Sequence, residues 1–124
     1  MSERLIDSVI IIDHLNGMQK ATDFLRTLEP AETSICVITR VEILCGIQDS
    51  DREAVLGFLD QHRLLEVDRA AADQAAASRK KFAWKLPYVF QGVLAQNHQI
   101  KLTTCNTKDF NPKKQPFVEI PYTL

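Results

Sequence analysis

Arg4-Leu5-Ile6-Asp7-Ser8-Val9-Ile10-Ile11-Ile12-Asp13-His14-Leu15 reads as a short apolar strand, then an acid and a hydroxyl residue, then a helix carried by a second apolar run. Asp7 falls at the carboxyl end of the strand. In an open α/β sheet, ligands bind just outside the carboxyl ends of the strands. A carboxylate there faces a site rather than the core. Whether Asp7 belongs to a site depends on whether other acids converge on it.

Outward from this stretch, helical patterns alternate with short apolar strands. Asn16-Gly17 is a turn signal that ends the first helix. Ala21, Phe24, Leu25 and Leu28 keep helical spacing, which predicts a helix from about Gln19 to Leu28, stopped by Glu29-Pro30. Ser34 to Ile38 predicts a buried strand, and Thr39 opens a helix that closes near Gly46. A helix follows Asp49-Ser50-Asp51, and Leu64 to Val67 predicts a strand. Asp68 can cap an alanine-rich helix from Arg69 to about Phe82, alanine being the strongest helix former. Leu86-Pro87 starts a helix to about His98, with the proline near its first position. Ile100 to Thr104 and Phe117 to Ile120 predict two more strands, separated by a polar, turn-rich stretch. The alternation implies a mostly parallel sheet covered by helices on both faces, an α/β class.

The 124 residues suit one domain, 1–124, with an ordinary globular balance of 45% hydrophobic and 25% charged residues. A formal net charge of −1 means that any nucleic-acid surface must be local. Cys36, Cys45 and Cys105 form no C-x-x-C pair and no zinc spacing. Their odd number reads as reduced thiols. No apolar run is long enough to span a bilayer, and the N-terminus has no cleavable pattern, so the expected location is cytoplasmic. Ile10, Ile11, Leu15, Phe24 and Leu25 offer more apolar surface than a small domain readily covers, which predicts a two-fold dimer.

Asp7, Glu42 and Asp109 each fall just after a predicted strand or in the first turn of the next helix. A parallel sheet would bring them to one edge. Crowded carboxylates raise each other's pKa unless a cation neutralises them. Mg²⁺ or Mn²⁺ takes oxygen ligands, keeps several waters and needs few carboxylates. Such a site suits phosphodiester hydrolysis. Each acid also has a structural alternative. Asp7 can cap the first helix. Thr39-Arg40-Val41-Glu42 fits a capping box with Glu42 at its third position. Asp109, with Asn106 and Thr107, can be turn chemistry.

LIDSVIIIDHLNG resembles the opening motif of PIN domains, with Asp7 as the first metal-binding acid and Ser8 as its hydroxyl neighbour. Glu42 in TRVEILCGI matches the second acid. Thr104, Asn106 and Asp109 in LTTCNTKDF match a motif of hydroxyl, amide and final acid. Size and loop lengths are most similar to VapC-type toxins. The resemblance implies a small Mg²⁺- or Mn²⁺-dependent endoribonuclease acting on RNA, a cognate antitoxin and a homodimer. Three positions depart from the pattern: Val9 replaces the usual small polar residue, Cys105 stands where a basic or polar residue is common, and the third departure is at an acid. The family's third acid follows a proline, and here Leu86-Pro87 is followed by Tyr88. A phenol with a pKa of about 10 is a poor ligand for a hard cation. The alternative implied by Tyr88 is a catalytically impaired PIN-fold module that binds an antitoxin or RNA.

Arg79, Lys80, Lys81 and Lys85 surround Trp84, and Lys108, Lys113 and Lys114 follow the last motif. They could form a positive rim for an RNA backbone, or be a solvated face with one aromatic anchored in the core. No G-x-x-x-x-G-K-[ST] and no G-x-G-x-x-G is present, which removes the common nucleotide-binding classes. The acidic pair of a receiver domain is also missing.

Overall fold

A computed structural model describes residues 3–123. Strands Arg4–Ile6 (β1), Thr33–Cys36 (β2), Arg63–Leu65 (β3), Lys101–Thr103 (β4) and Val118–Glu119 (β5) form one sheet in the order β3-β2-β1-β4-β5. Every pairing is parallel, where the sequence predicted a mostly parallel sheet. The helices are Ser8–Leu15 (α1), Gln19–Arg26 (α2), Val37–Gly46 (α3), Arg52–Leu59 (α4), Arg69–Phe82 (α5) and Leu86–Asn97 (α6). None among the described residues is long and apolar enough to cross a membrane.

Successive residues of a strand point to opposite faces, and β1 uses this to build two cores. Leu5 packs with Ala71 and Ala75 of α5 and with Val89 and Val93 of α6. Ile6 packs with Ile10 and Ile11 of α1, Ile43 of α3, and Val55 and Leu59 of α4. β2 repeats the division, with Cys36 in the first core and Ile35 in the second. A strand buried on both faces has no polar alternate, which is why the opening reads as a continuous apolar run.

The second core also absorbs the apolar surface that suggested a dimer. Ile10 and Ile11 are buried, and Phe24 and Leu25 are half-buried beside them. Phe24 meets Tyr122 edge to face at 6.4 Å. Of the five residues only Leu15 is exposed, so the dimer expectation loses that support.

The boundary that matters most for function lies between β2 and α3. The predicted strand ran to Ile38, with a helix opening at Thr39. The helix instead starts at Val37, and Cys36 is its N-cap, accepting the Ile38 N–H at 3.4 Å. Burial of Thr39 and Ile43 on the helix's inner face outweighs the β-propensity of Val37 and Ile38. Thr39 therefore lies inside the helix, and Glu42 lies in the second turn rather than in a capping box.

Strand order reverses between β1 and β4, because β1 leads to β2 on one side and meets β4 on the other. This is the switch point at which α/β sheets open a crevice. The β4–β5 link makes its parallel return through turns alone. A cross-strand contact ties it down. Arg4 Nε donates to Glu119 Oε1 at 2.6 Å and Thr103 Oγ1 donates to the same oxygen at 2.8 Å. Burial would push the Glu119 carboxyl up, but these bonds and the charge of Arg4 outweigh it and hold it below its usual range.

Asp68 caps α5 as the sequence indicates, its Oδ1 accepting the Ala71 N–H at 2.8 Å. Asp68→Ala should cost about 1 kcal/mol of stability, read by chemical denaturation with an unchanged m-value.

Candidate functional site

Asp7 sits between β1 and α1, directly in the crevice. Its backbone N–H donates to Thr103 O at 3.0 Å, continuing the β1–β4 ladder by one residue. Its side chain does not cap α1. Instead the carboxylate is fully buried and accepts from three neutral donors. Thr104 Oγ1 donates to Oδ2 at 2.7 Å, while Ser8 Oγ and Gln91 Nε2 each donate to Oδ1 at 3.3 Å. The Thr104 hydroxyl in turn accepts the Asn106 N–H at 3.0 Å. Asp7, Ser8, Thr104 and Asn106, drawn from the two ends of the chain, thus form one connected network.

Glu42 is half-buried on α3, and its Oε1 is buried without a partner. Asp109 is half-buried in the β4–β5 link and is held by its own turn. Asn106 Nδ2 donates to Asp109 Oδ2 at 3.0 Å, and Asn106 Oδ1 accepts the Asp109 N–H at 3.2 Å. The turn reading of Asn106 and Asp109 is therefore correct as far as it goes. It does not exclude a site role, because the Asp109 charge also acts on the Tyr88 phenol. Ion pairs among the described residues join Arg4 to Glu119, Arg40 to Asp60 and Arg63 to Glu3, so none neutralises the three acids. No three His, Cys, Asp or Glu side chains among the described residues are gathered closely enough to grip one ion. Carboxylates without a counter-charge repel one another.

No family model and no curated protein sequence matches the chain. Solved structures do. A chain of a toxin–antitoxin complex from Klebsiella pneumoniae is 28% identical with a TM-score of 0.88, over 98% of this chain and 100% of that one. A chain of FitAcB from Neisseria gonorrhoeae is 18% identical with a TM-score of 0.77, over 98% and 99% of the two chains. A chain of VapBC2 from Rickettsia felis, bound to a DNA fragment from its promoter, is 16% identical with a TM-score of 0.74, over 94% and 96%. The fold is that of the VapC-type PIN toxins.

In this PIN-type fold, Tyr88 occupies the first turn of α6, at the position expected for the third acid. Its phenol is half-buried and faces the acids. Burial, then the charges of Asp7, Glu42 and Asp109, push its pKa up to about 12. Each of the three acids is thus near enough to act on the ionisation of this phenol, although no three of them grip one ion among the described residues. At neutral pH Tyr88 is an uncharged donor in a site that is one carboxylate short of the family pattern.

Gln91 is the site residue that sequence reasoning passed over. It lies one helical turn beyond Tyr88, on the same face of α6, and is fully buried. Its Nε2 reaches Asp7, while its Oε1 has no partner. The available signal was an amide within the apolar run Val89-Phe90-Gln91-Gly92-Val93-Leu94. Buried polar groups are normally satisfied, so a lone amide there points to a polar partner.

Trp84 is anchored in the core, stacked on Phe82 at 4.5 Å and tilted against Phe110 at 4.9 Å. It does not serve as a free stacking platform. A cleft of about 690 Å³ has Asp109, Lys108, Lys114 and the exposed Phe82 on its walls, but neither Asp7 nor Glu42. Lys108 and Lys114 thus share a cleft with Asp109 alone of the three acids.

The donor set is all oxygen, lacks a basic partner and leaves one carboxylate oxygen unpaired, which fits a hard divalent cation. Burial raises the Asp7 pKa, although hydrogen bonds from Thr104, Gln91, the Val9 backbone N–H and Ser8 oppose it. Burial also raises that of Glu42, with relief from Ser8 and a further push from the Asp7 charge. Both groups hold protons more readily folded than unfolded. The metal-free chain should therefore lose stability as pH rises above about 4, the unfolded carboxylate value, through the raised folded values. Asp7→Asn should melt higher than wild type at neutral pH in EDTA, with the gap closing on acidification. A lower melting temperature for the variant would mean that the carboxylate's hydrogen bonds outweigh its burial.

Proposed function

We propose that the chain is a divalent-metal-dependent endoribonuclease, the toxin half of a toxin–antitoxin pair. The observation that carries this reading is the buried, uncompensated Asp7 carboxylate at the switch point, with Glu42 and Asp109 facing the same Tyr88 phenol. The antitoxin partner is inferred from the Klebsiella pneumoniae toxin–antitoxin complex that the chain resembles across its length. A homodimer belongs to the proposal. Val41, Leu64 and Leu86 are the exposed apolar side chains available for it, besides Leu15 and Phe82. Light scattering at high protein concentration should show twice the monomer mass.

Asp7, Glu42 and Asp109 would hold Mg²⁺ or Mn²⁺, directly or through water. The bound ion would neutralise phosphate charge and lower the pKa of a water. The chain's own residues do the positioning. Thr104 fixes Asp7 Oδ2, Asn106 fixes both Thr104 and Asp109, and Ser8 lies between Asp7 and Glu42. Lys108 and Lys114 draw the RNA backbone toward the acids. Water oxygen attacks phosphorus in line, the bond from phosphorus to the leaving ribose oxygen breaks, and that oxygen takes up a proton. Tyr88, protonated throughout the neutral range, can donate to a phosphate oxygen but cannot supply the missing charge.

A second reading is favoured by Tyr88 alone: a PIN-fold module that binds antitoxin or RNA without cleaving. One assay separates the two. Wild type, Tyr88→Asp and Asp7→Asn are compared on single-stranded RNA, with and without EDTA. Tyr88→Asp restores a carboxylate at a helix N-terminus, where negative charge is favourable. It should raise EDTA-sensitive cleavage at least about tenfold, or roughly 1.4 kcal/mol in barrier, and Asp7→Asn should abolish it. Folded wild type and Tyr88→Asp that both fail to cleave would establish the binding-module reading instead.

A further inference from the structure

The cleft that Asp109 shares with Lys108 and Lys114 has an aromatic wall. α5 ends at Ala83, whose φ of 56° is left-handed. The reversal sets Phe82 and Trp84 face to face, with ring centroids 4.5 Å apart and planes 12° from parallel. Trp84 lies in turn against Phe110 at 4.9 Å. The three rings are packed in series, and Phe82 is the outermost, 41% exposed. A lone exposed apolar side chain is ordinary. This one is the open end of a stack fixed in the core, on the wall of a cleft of about 690 Å³. The Lys81 ammonium lies over the Phe82 ring, 5.1 Å from its centroid. A cation–π contact at an exposed ring is weaker than a base stacked on one, so the lysine arm is a cover that a base displaces.

Lys108 and Lys114 are both exposed, and neither joins an ion pair among the described residues. Two amides on the same walls are oriented by backbone partners. Gln96 Nε2 donates to Gly92 O at 3.1 Å, and Gln115 Oε1 accepts the Asn111 N–H at 2.7 Å. That leaves an acceptor on Gln96 and a donor on Gln115. A flat ring, two cations and a spare donor and acceptor match the three parts of an unpaired nucleotide: a π-face, a phosphate and a polar edge.

We propose that this cleft is a subsite for one unpaired nucleotide of single-stranded RNA, its base stacked on Phe82 and its phosphate drawn by Lys108 and Lys114. This rests on the reading of RNA as the substrate and names where the strand is held beside the acids. Phe110 relates the two places. Its ring meets Trp84 on the cleft side and Tyr88 at 5.9 Å, so one ring separates the cleft from the phenol on which the acids act. A duplex offers Phe82 no free base face, and an acidic peptide satisfies the lysines without one.

The test uses the full chain in EDTA, where the strand stays uncut, with binding of a fluorescein-labelled single-stranded RNA read by anisotropy. Wild type, Phe82→Leu, Phe82→Tyr and the double variant Lys108→Gln, Lys114→Gln are compared, and melting curves confirm folding. Phe82→Leu should weaken RNA binding about tenfold, the order of one base–aromatic stack, and Phe82→Tyr should bind as wild type. The double variant should flatten the dependence of log affinity on log salt by roughly 0.7 for each lysine. Polyphosphate and poly-glutamate, which carry charge without bases, should compete equally well at wild type and Phe82→Leu. A folded Phe82→Leu that binds RNA as wild type does would overturn the subsite. So would equal weakening of RNA and poly-glutamate, which would assign the cleft to a protein partner. If Phe82→Leu does not fold, unchanged affinity and salt dependence in the double variant would overturn it alone. Failure of the nuclease reading looks different: a wild type that binds RNA through Phe82 but does not cut it with Mn²⁺ keeps the subsite and loses the cleavage.

Discussion

The structure is built around a buried negative charge that has no positive partner. Asp7 is held by a threonine, a serine and a glutamine side chain, donors that orient a carboxylate without cancelling its charge. Burying an ionised group without a counter-ion is among the more costly arrangements a protein can adopt. Here the sheet itself enforces it. β1 is the central strand, both of its neighbours run parallel to it, and its next residue must emerge where the strand order reverses. The apolar residues that make β1 central are the same ones that bring Asp7 to the crevice.

The other site residues are placed by the two cores rather than by each other. Ile43 anchors α3 in one core, and Glu42 is its neighbour in sequence. Val89 and Val93 anchor α6 in the opposite core, while Tyr88 and Gln91 lie between the core and the acids. Phe110 pins the link that carries Asp109 by packing against Trp84, Tyr88 and Phe117. A hydrophobic residue next to each polar one fixes its position, so the site inherits the rigidity of the packing on both faces of the sheet.

Tyr88 and Gln91 sit on one face of α6, and they bear on charge and on geometry. Tyr88 removes a negative charge and replaces it with a donor that burial and three carboxylates keep protonated. Gln91 adds a neutral donor behind the first acid.

Much of this was legible in the amino-acid order. Alternation of apolar strands with helical spacing is enough to imply a parallel α/β sheet, since each strand needs a crossover and each helix needs a face to cover. Asp7, Glu42 and Asp109, with Ser8, Thr104 and Asn106, stood out as candidates because they follow strands and match a spaced motif. What the order could not decide were matters of three-dimensional competition. Whether α3 begins at Val37 or Thr39 depends on burial of Thr39 and Ile43 against β-propensity, and only the packed core sets that balance. Whether Ile10, Ile11, Phe24 and Leu25 meet a second chain or their own fold depends on where α2 and Tyr122 come to rest. Gln91 looks like a stray amide in an apolar helix until β1 and α6 are brought together. A hydrogen bond between residues 84 positions apart leaves no local trace, because the helix period shows which face a residue lies on and never what that face will meet.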